Sequence, residues 1–174
     1  MDSSTHEIVL EDMIYDNQEF VQQRGFPVLY KNNFRQFPIG TFVCDIISYE
    51  MEGGLFKCKI FELKRGQLSV DALLQVIGYG EGIAKYAAWV FDKSLIELHV
   101  VGFDIDDKVL KLAAWGLNVN IVTFEYRYDG IHFESFDNAK DYPSPHWLAN
   151  PSEHGKPTDD AIEQFKLKLF NSIS

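Results

Sequence analysis

Glu62 and Lys64 stand two positions apart at the end of an apolar run, "LFKCKIFELK", rich in strand-forming residues. Alternation along a strand puts Cys58, Ile60, Glu62 and Lys64 on one face and Phe61 and Leu63 on the other. Two residues of rise separate Glu62 from Lys64 by about 7 Å. Upstream, Asp45 sits inside "FVCDII", where Asp is disfavoured and an unpaired buried carboxylate is costly. A hairpin turning near residues 50 to 54 brings Asp45 alongside the strand end that carries Glu62. Two carboxylates at that range repel and raise each other's pKa unless a cation compensates. Mg²⁺ suits them, because it takes hard oxygen ligands: one or two carboxylates, with phosphate and water completing its shell. A lysine beside such a cation can orient an attacking water or stabilise charge building at phosphorus. The competing reading is an exposed Asp and an exposed Glu–Lys pair, ordinary at strand ends.

A helix follows within five residues. Ser69 is its expected N-cap and it runs to about Lys85. Leu73, Val76, Ile77, Gly80 and Ala84 form its apolar stripe. Gln75 and Tyr79, at i and i+4, are expected on the opposite face with Asp71 and Gly82. There an amide and a phenol side by side can bond a phosphate oxygen or brace a catalytic carboxylate. A plain polar outer face is the alternative.

The elements that must position these groups read as one mixed α/β domain. Ser4 and Glu7 fit a capping box opening a helix through about Phe20 or Val21. "FPVLYKNNF" gives a strand with Pro27 at its start, and "GTFVCDIIS" and "LFKCKIFELK" a hairpin joined by a loose glycine-containing turn. After the Gln75–Tyr79 helix come a strand in "SLIELHVVGF", a capped helix over 104–116 and a strand in "NVNIVTFEYR". "YDGIHFESF" closes a second hairpin through Asp129-Gly130. Residues 137 to 157 are proline-rich and loop-like, and Thr158 caps a final amphipathic helix carrying Ile162, Phe165 and Leu169. The expected order is α-β-β-β-α-β-α-β-β-α.

With 174 residues, 46% hydrophobic and 14% aromatic, the chain has ample material for a single core. No run reaches the roughly 18 apolar residues of a membrane span, and "MDSSTHEIVLED" lacks the blocks of a signal peptide. Cys44 and Cys58 cannot build a disulfide framework; a soluble cytoplasmic protein is expected. Parity places the two thiols on opposite sides of the sheet. The net charge of −10 opposes phosphate binding overall. Residues 22 to 65, however, carry seven basic side chains against four acidic ones, a local +3. Within that block Lys57, Lys59 and Arg65 are the candidate nucleic-acid contacts.

Asp45, then Glu62-Leu63-Lys64, then Gln75-x-x-x-Tyr79 resembles the PD-(D/E)xK nuclease superfamily, with the QxxxY element of its RecB-like branch. "EIVLEDMIYDNQEF", "PIGTFVCDII" and "IFELKRGQLSVDALLQVIGY" are similar, in order, to the first helix, Asp strand, ELKRG strand and QxxxY helix of the NucS-type endonuclease domain. The resemblance extends over about residues 5 to 136. It implies a restriction-endonuclease-like αβββαβ core with a mixed central sheet flanked by helices, spanning 1–136. Residues 137–174 would add a C-terminal loop and helix packed on the same domain or on a partner chain.

The resemblance further implies that Asp45 and Glu62 bind Mg²⁺ (Mn²⁺ substituting), that Lys64 is the catalytic lysine, and that Gln75 and Tyr79 support the geometry. A glutamate from the first helix completes the set. Glu7 and Glu11 are both candidates, and Glu7, three residues before Leu10, fits the family's ExxL pattern. The proline that names the motif is replaced by Cys44. The function implied is metal-dependent hydrolysis of DNA phosphodiesters. The alternatives are a catalytically silent nuclease-fold module that binds DNA or a partner protein, and a small effector or inhibitor acting through its apolar C-terminal region. The final helix, with Phe165, Leu169 and Phe170, offers an interface for a homodimer.

Other signals carry less. "GYGEG" lies in a helical pattern and is not a dinucleotide turn. "DIDD" lacks the glycine and closing glutamate of a calcium loop. His132, His146 and His154 accompany no nucleophile.

Overall fold

The computed structural model describes residues 3–105, 117–136 and 156–170. Most of the helix expected over 104–116 and of the proline-rich stretch 137–157 lies outside these residues, as do His146 and His154.

The elements in chain order are α1 (Ser3–Asp16), α2 (Gln18–Gln23), β1 (Asn32–Ile39), β2 (Phe42–Glu52), β3 (Leu55–Leu63), α3 (Val70–Val90), β4 (Lys93–Gly102), β5 (Val119–Arg127), β6 (Gly130–Phe136) and α4 (Asp159–Phe170). All six strands belong to one sheet, ordered β1-β2-β3-β4-β5-β6. The first three pair antiparallel, β3–β4 and β4–β5 pair parallel, and β5–β6 is an antiparallel hairpin. A parallel neighbour demands a long crossover, and α3 supplies it between β3 and β4. This is the expected αβββαβ order on a mixed sheet flanked by helices.

The sheet is buried on both faces. On one side Ile47, Cys58, Ile60, Leu98 and Ile121 pack beneath Leu73, Val76, Ile83 and Ala87 of α3, and beneath Phe165 and Leu169 of α4. On the other, Ile46, Phe61, Leu63, Val101 and Val122 lie under Leu10 and Ile14 of α1, Val21 of α2, and Phe26. Burial on both faces explains why β3 and β4 read as near-continuous apolar runs.

Several expected boundaries shift. The first helix breaks at Asn17, whose side-chain amide turns back to the Met13 carbonyl, so one long helix becomes α1 and α2. Ser4 stands within α1, which is described from Ser3. The first strand starts at Asn32; residues 26 to 31 run irregularly, with the Tyr30 amide donating to Ser48 Oγ at 2.6 Å. The β2–β3 turn is tight, because Glu52 pairs with Leu55 across Gly53 and Gly54, both left-handed at φ 57° and 82°. Ser69 occupies the N-cap of α3 without a side-chain cap bond, and the helix continues one turn past Lys85. Thr158 does cap α4, its Oγ1 accepting from the Ala161 amide at 3.2 Å.

The apolar face of α4 is used within the chain. Phe165 stacks on Tyr86 at 5.2 Å, Leu169 is fully buried, and its carbonyl accepts from the Tyr49 hydroxyl. Of the three residues expected at a homodimer interface, only Phe170 remains exposed, edge-on to Phe91. Cys44 and Cys58 lie in the same apolar layer, not on opposite sides, and both are free thiols. The reason lies in a reversal of side-chain alternation beside Asp45.

Candidate active site

Asp45 sits where two strands lose their regular pairing together. On β1, Phe34, Phe37 and Ile39 contact the α3-side core; on β2, Cys44 and Ile47 do. Strict alternation forbids either set. The switch falls at Gln36 and Asp45, the one pair missing between Arg35–Ile46 and Phe37–Cys44, where Gln36 adopts a left-handed φ of 48°. On the other flank of β2, the ladder with β3 stops at Ile46–Phe61. The next β3 amide beyond Glu62, that of Leu63, donates to Asp45 Oδ2 at 2.7 Å instead. Lys64 continues on the far side, its amide bonding the Val101 carbonyl of β4 at 2.7 Å. The strands therefore part at this end of the sheet, and Asp45 leans into the gap beside Glu62.

Glu62 is 3% exposed. Lys64 Nζ meets its Oε1 at 2.7 Å. The other oxygen, Oε2, is buried with no hydrogen-bond partner among the described residues. A buried carboxylate oxygen without a donor is an unfavourable feature that a bound cation would relieve. Asp45 is disfavoured as an anion: burial first, then the charge of Glu62, pushes its carboxyl up to about 7. Burial pulls Lys64 down, but the hydrogen bond and charge of Glu62, with Glu7 and Asp45 behind, hold its ammonium above the ordinary range.

Tyr79 corrects the sequence reading. It does not share an outer face with Gln75; it is 8% exposed and lies in the core stripe, while Gln75 is exposed. Its position, three residues after Val76 and four before Ile83, puts it on the buried stripe itself. Its hydroxyl lies near the Glu62 carboxylate, and burial, then that charge, drives its pKa upward. Phe42, at the start of β2, packs edge-on against its ring at 5.9 Å. Of the QxxxY pair, the tyrosine reaches the carboxylate and the glutamine faces solvent.

The two glutamates of α1 divide their tasks. Glu7 lies close enough to Lys64 for its charge to reinforce the ammonium. Glu11, 4% exposed, is held by Arg35 Nε at 2.8 Å and by Gln36 Nε2 at 2.7 Å. Gln36 Nε2 also reaches Asp45 Oδ1 at 3.3 Å, so Glu11, Gln36 and Asp45 form one chain of contacts. Sequence reading missed Arg35 and Gln36; Gln36 was recognisable only through its left-handed backbone, which no residue pattern announced.

The candidate nucleic-acid contacts are not brought together. Lys57 pairs with Glu50 and Glu52 at the far end of β3, about 23 Å of strand from Lys64. Lys59 projects to the opposite face, donating to the Val28 carbonyl at 2.7 Å and lying 4.7 Å over the Tyr30 ring. Arg65 alone is exposed beside Lys64.

The loop after Lys64 is held by a glycine. A Cβ on Gly102 would fall 2.5 Å from Leu68 Cγ and 3.0 Å from the Gly66 carbonyl oxygen. Two amide bonds, Phe103 to Gly66 and Leu68 to Asp104, fasten the loop to the end of β4.

No protein-family model matches the chain, and no curated protein does. Among solved structures, a repair endonuclease from Pyrococcus abyssi is similar at 17% identity and a TM-score of 0.46, covering 70% of this chain and 46% of that one. The EndoMS–dsDNA2 complex is similar at 20% identity and a TM-score of 0.45, covering 73% of this chain and 47% of that one. This chain thus spans about half the length of either.

The donor set fits a hard divalent cation. Among the described residues no group of three or more His, Cys, Asp or Glu side chains is arranged to hold a metal. Two carboxylates do converge here, one with an unpartnered oxygen and the other reluctant to ionise alone. That is the number Mg²⁺ draws from protein when water and phosphate complete its shell. Among the described residues no helix is long and apolar enough to cross a membrane.

Proposed function

We propose that the chain is a Mg²⁺-dependent nuclease that hydrolyses phosphodiester bonds in DNA, with Mn²⁺ able to substitute. The observation that carries this reading is the buried Glu62 carboxylate: one oxygen on Lys64, the other without a partner, beside an Asp45 that burial and the Glu62 charge make reluctant to ionise.

Asp45 and Glu62 would hold the metal, which when bound supplies positive charge at the phosphate and acidifies water nearby. Lys64, anchored through Glu62, presents its remaining N–H donors to the reaction centre. From there it can orient the attacking water and offset the charge that builds on the phosphoryl oxygens. Tyr79, whose hydroxyl lies near the Glu62 carboxylate, would take the supporting role that outer partners of metal ligands usually have. Gln36 and the Leu63 amide do the same for Asp45. Arg65 is the basic group best placed for a neighbouring phosphate, and Gln75, exposed one turn before Tyr79, can reach substrate without touching the carboxylates.

Labelled single-stranded, duplex and flapped DNA, with RNA in parallel, tests the proposal in the presence of Mg²⁺ or Mn²⁺. Wild-type protein should give metal-dependent products, and Lys64→Ala and Asp45→Asn should give none. Equal cutting by all three would rule out this site. No cutting by wild type, with a melting point still raised by Mg²⁺, would make the chain a metal-binding module without turnover.

A further inference from the structure

The turn between β1 and β2 overhangs the Asp45–Glu62 centre. Ile39 pairs with Phe42 across Gly40 and Thr41, and Gly40 takes a left-handed φ of 57°. A Cβ on Gly40 would meet nothing within 4 Å, so the turn stands clear of its surroundings. Phe42 is 47% exposed and Val43 45%, and alternation points them out of opposite faces of the hairpin. Asp45 lies three residues further along β2, about 10 Å of strand. Phe42 is on the side of the site: its ring is edge-on to Tyr79, whose hydroxyl lies near the Glu62 carboxylate. The tip of the same ring lies over Gly78 of α3, where a Cβ would stand 3.9 Å away. Leu74, one turn earlier on α3 and 59% exposed, continues the apolar surface.

Single exposed apolar side chains need no explanation. This group does, because it adjoins a charged centre in a chain of net charge −10. From Gln36 to Cys44 no residue is charged. The cations lie at the margins: Lys64 and Arg65 follow β3, and Lys168 of α4 donates to the Pro38 carbonyl at 3.3 Å. Such a projection suits a ligand that is flat and apolar in one part and anionic on either side. A nucleotide within a strand has that form. Aromatic side chains stack on base faces while neighbouring cations meet the backbone, and phenylalanine is among the wedges that proteins insert between base steps. A protein partner is disfavoured by size, since a stable interface takes roughly 20–30 residues a side.

We propose that Phe42 is a specificity-determining residue, stacking on the face of a nucleobase beside the phosphodiester that Asp45 and Glu62 address. The proposal takes its ligand, DNA, from the nuclease reading. It adds that the base next to the cut must leave one stacking neighbour to be engaged. Thr41 carries the one side-chain hydrogen-bonding group in the turn, so the contact reads the flat face of a base and not its identity.

Binding of a labelled thymidine oligonucleotide to the full chain tests this, with Ca²⁺ in place of Mg²⁺ to separate binding from cleavage. Phe42→Leu keeps an apolar side chain on Tyr79 but no flat ring. It should weaken binding at least about fivefold, the lower end of what one stacked base contributes. Phe42→Trp should bind at least as tightly as wild type. The same strand built of abasic residues keeps every phosphate; wild type and Phe42→Leu should bind it equally. Equal binding of the base-bearing strand by the two proteins would overturn the proposal, as would an equal loss on the abasic strand or no binding by wild type. A Phe42→Leu protein that loses only self-association in sedimentation would overturn it in favour of a second copy of the chain. The expected loss in a wild type that never cuts with Mg²⁺ would leave the stack standing and sink the nuclease reading alone. Cutting by wild type, with Phe42→Leu unaltered in binding, would do the reverse.

Discussion

Asp45 Oδ2 accepts the backbone amide of Leu63 at 2.7 Å, just beyond the last β2–β3 pair, Ile46–Phe61. One side chain thus closes the open end of a ladder and fixes a carboxylate beside Glu62. Removing the acceptor and removing the charge should then have opposite effects. Asp45→Ala strands a backbone N–H and should lower the metal-free stability by roughly 1–3 kcal/mol. Asp45→Asn keeps an oxygen for Leu63 and abolishes repulsion with Glu62, so the metal-free protein should melt at or above wild type while losing its response to Mg²⁺. Urea unfolding with and without Mg²⁺ checks both; a destabilised Asn variant would show that the charge is not strained.

Two buried groups should tilt the pH profile in opposite senses. The folded pKa of Asp45, about 7, lies above its ordinary 3.8, so the folded state holds the proton more tightly. Its contribution is complete below about pH 4 and is lost as pH rises through 7 in metal-free protein. His99, about 3 when folded against 6.5 ordinarily, does the reverse: its contribution is complete above pH 6.5 and is lost as pH falls toward 3. The two windows overlap, so the slopes offset each other in wild type. Between pH 4 and 6.5 stability should rise with pH in Asp45→Asn, where only the His99 contribution remains, and fall with pH in His99→Phe, where only that of Asp45 remains. Melting curves measure both, and a change of slope in the same sense in the two variants would contradict the assignment.

Tyr79 and Gln75 should separate cleanly. Tyr79→Phe removes the hydroxyl nearest Glu62 on α3 and should reduce metal affinity and cleavage by about 10- to 100-fold, as loss of an outer partner does. Gln75→Ala touches no carboxylate; Mg²⁺ affinity should stay within about twofold of wild type, with any loss confined to KM for DNA. A larger fall in metal affinity for Gln75→Ala than for Tyr79→Phe would reverse the assignment.

Gly102 is expected to be intolerant for a steric reason. Gly102→Val would push a side chain into Leu68 and the Gly66 carbonyl, displacing the loop that follows Lys64. Overpacking of this kind costs about 1–3 kcal/mol, and cleavage should fall further than stability because Lys64 and Arg65 begin that loop. Denaturant unfolding alongside kcat measures the two losses. A Gly102→Val protein with wild-type stability and activity would show the loop free to move.

The alternation of "KIFELK", an aspartate inside the preceding run and the hairpin between them were enough to place Asp45, Glu62 and Lys64 at one end of a mixed sheet. Those are local periodicities and a short connection, and local rules decide them. The αβββαβ order was legible for the same reason, since each run carries its own period and its own turn residues. Tyr79 was not legible. Its hydroxyl suggested an outer face, yet its spacing from Val76 and Ile83 fits the buried stripe equally, and only the presence of Glu62 across the interface makes burying a phenol favourable. Gln36 and the reversal at Asp45 were hidden more deeply, because a left-handed glutamine is set by what its two neighbouring strands require and not by its own preference. The basic residues failed in the opposite way: Lys57 and Lys59 look continuous with Lys64 along the chain, but strand rise and alternation send one to the far end and the other through the sheet. Sequence alone fixed which residues could do chemistry; the tertiary structure decided which of them meet, because a meeting depends on burial and partners that lie far away in the chain.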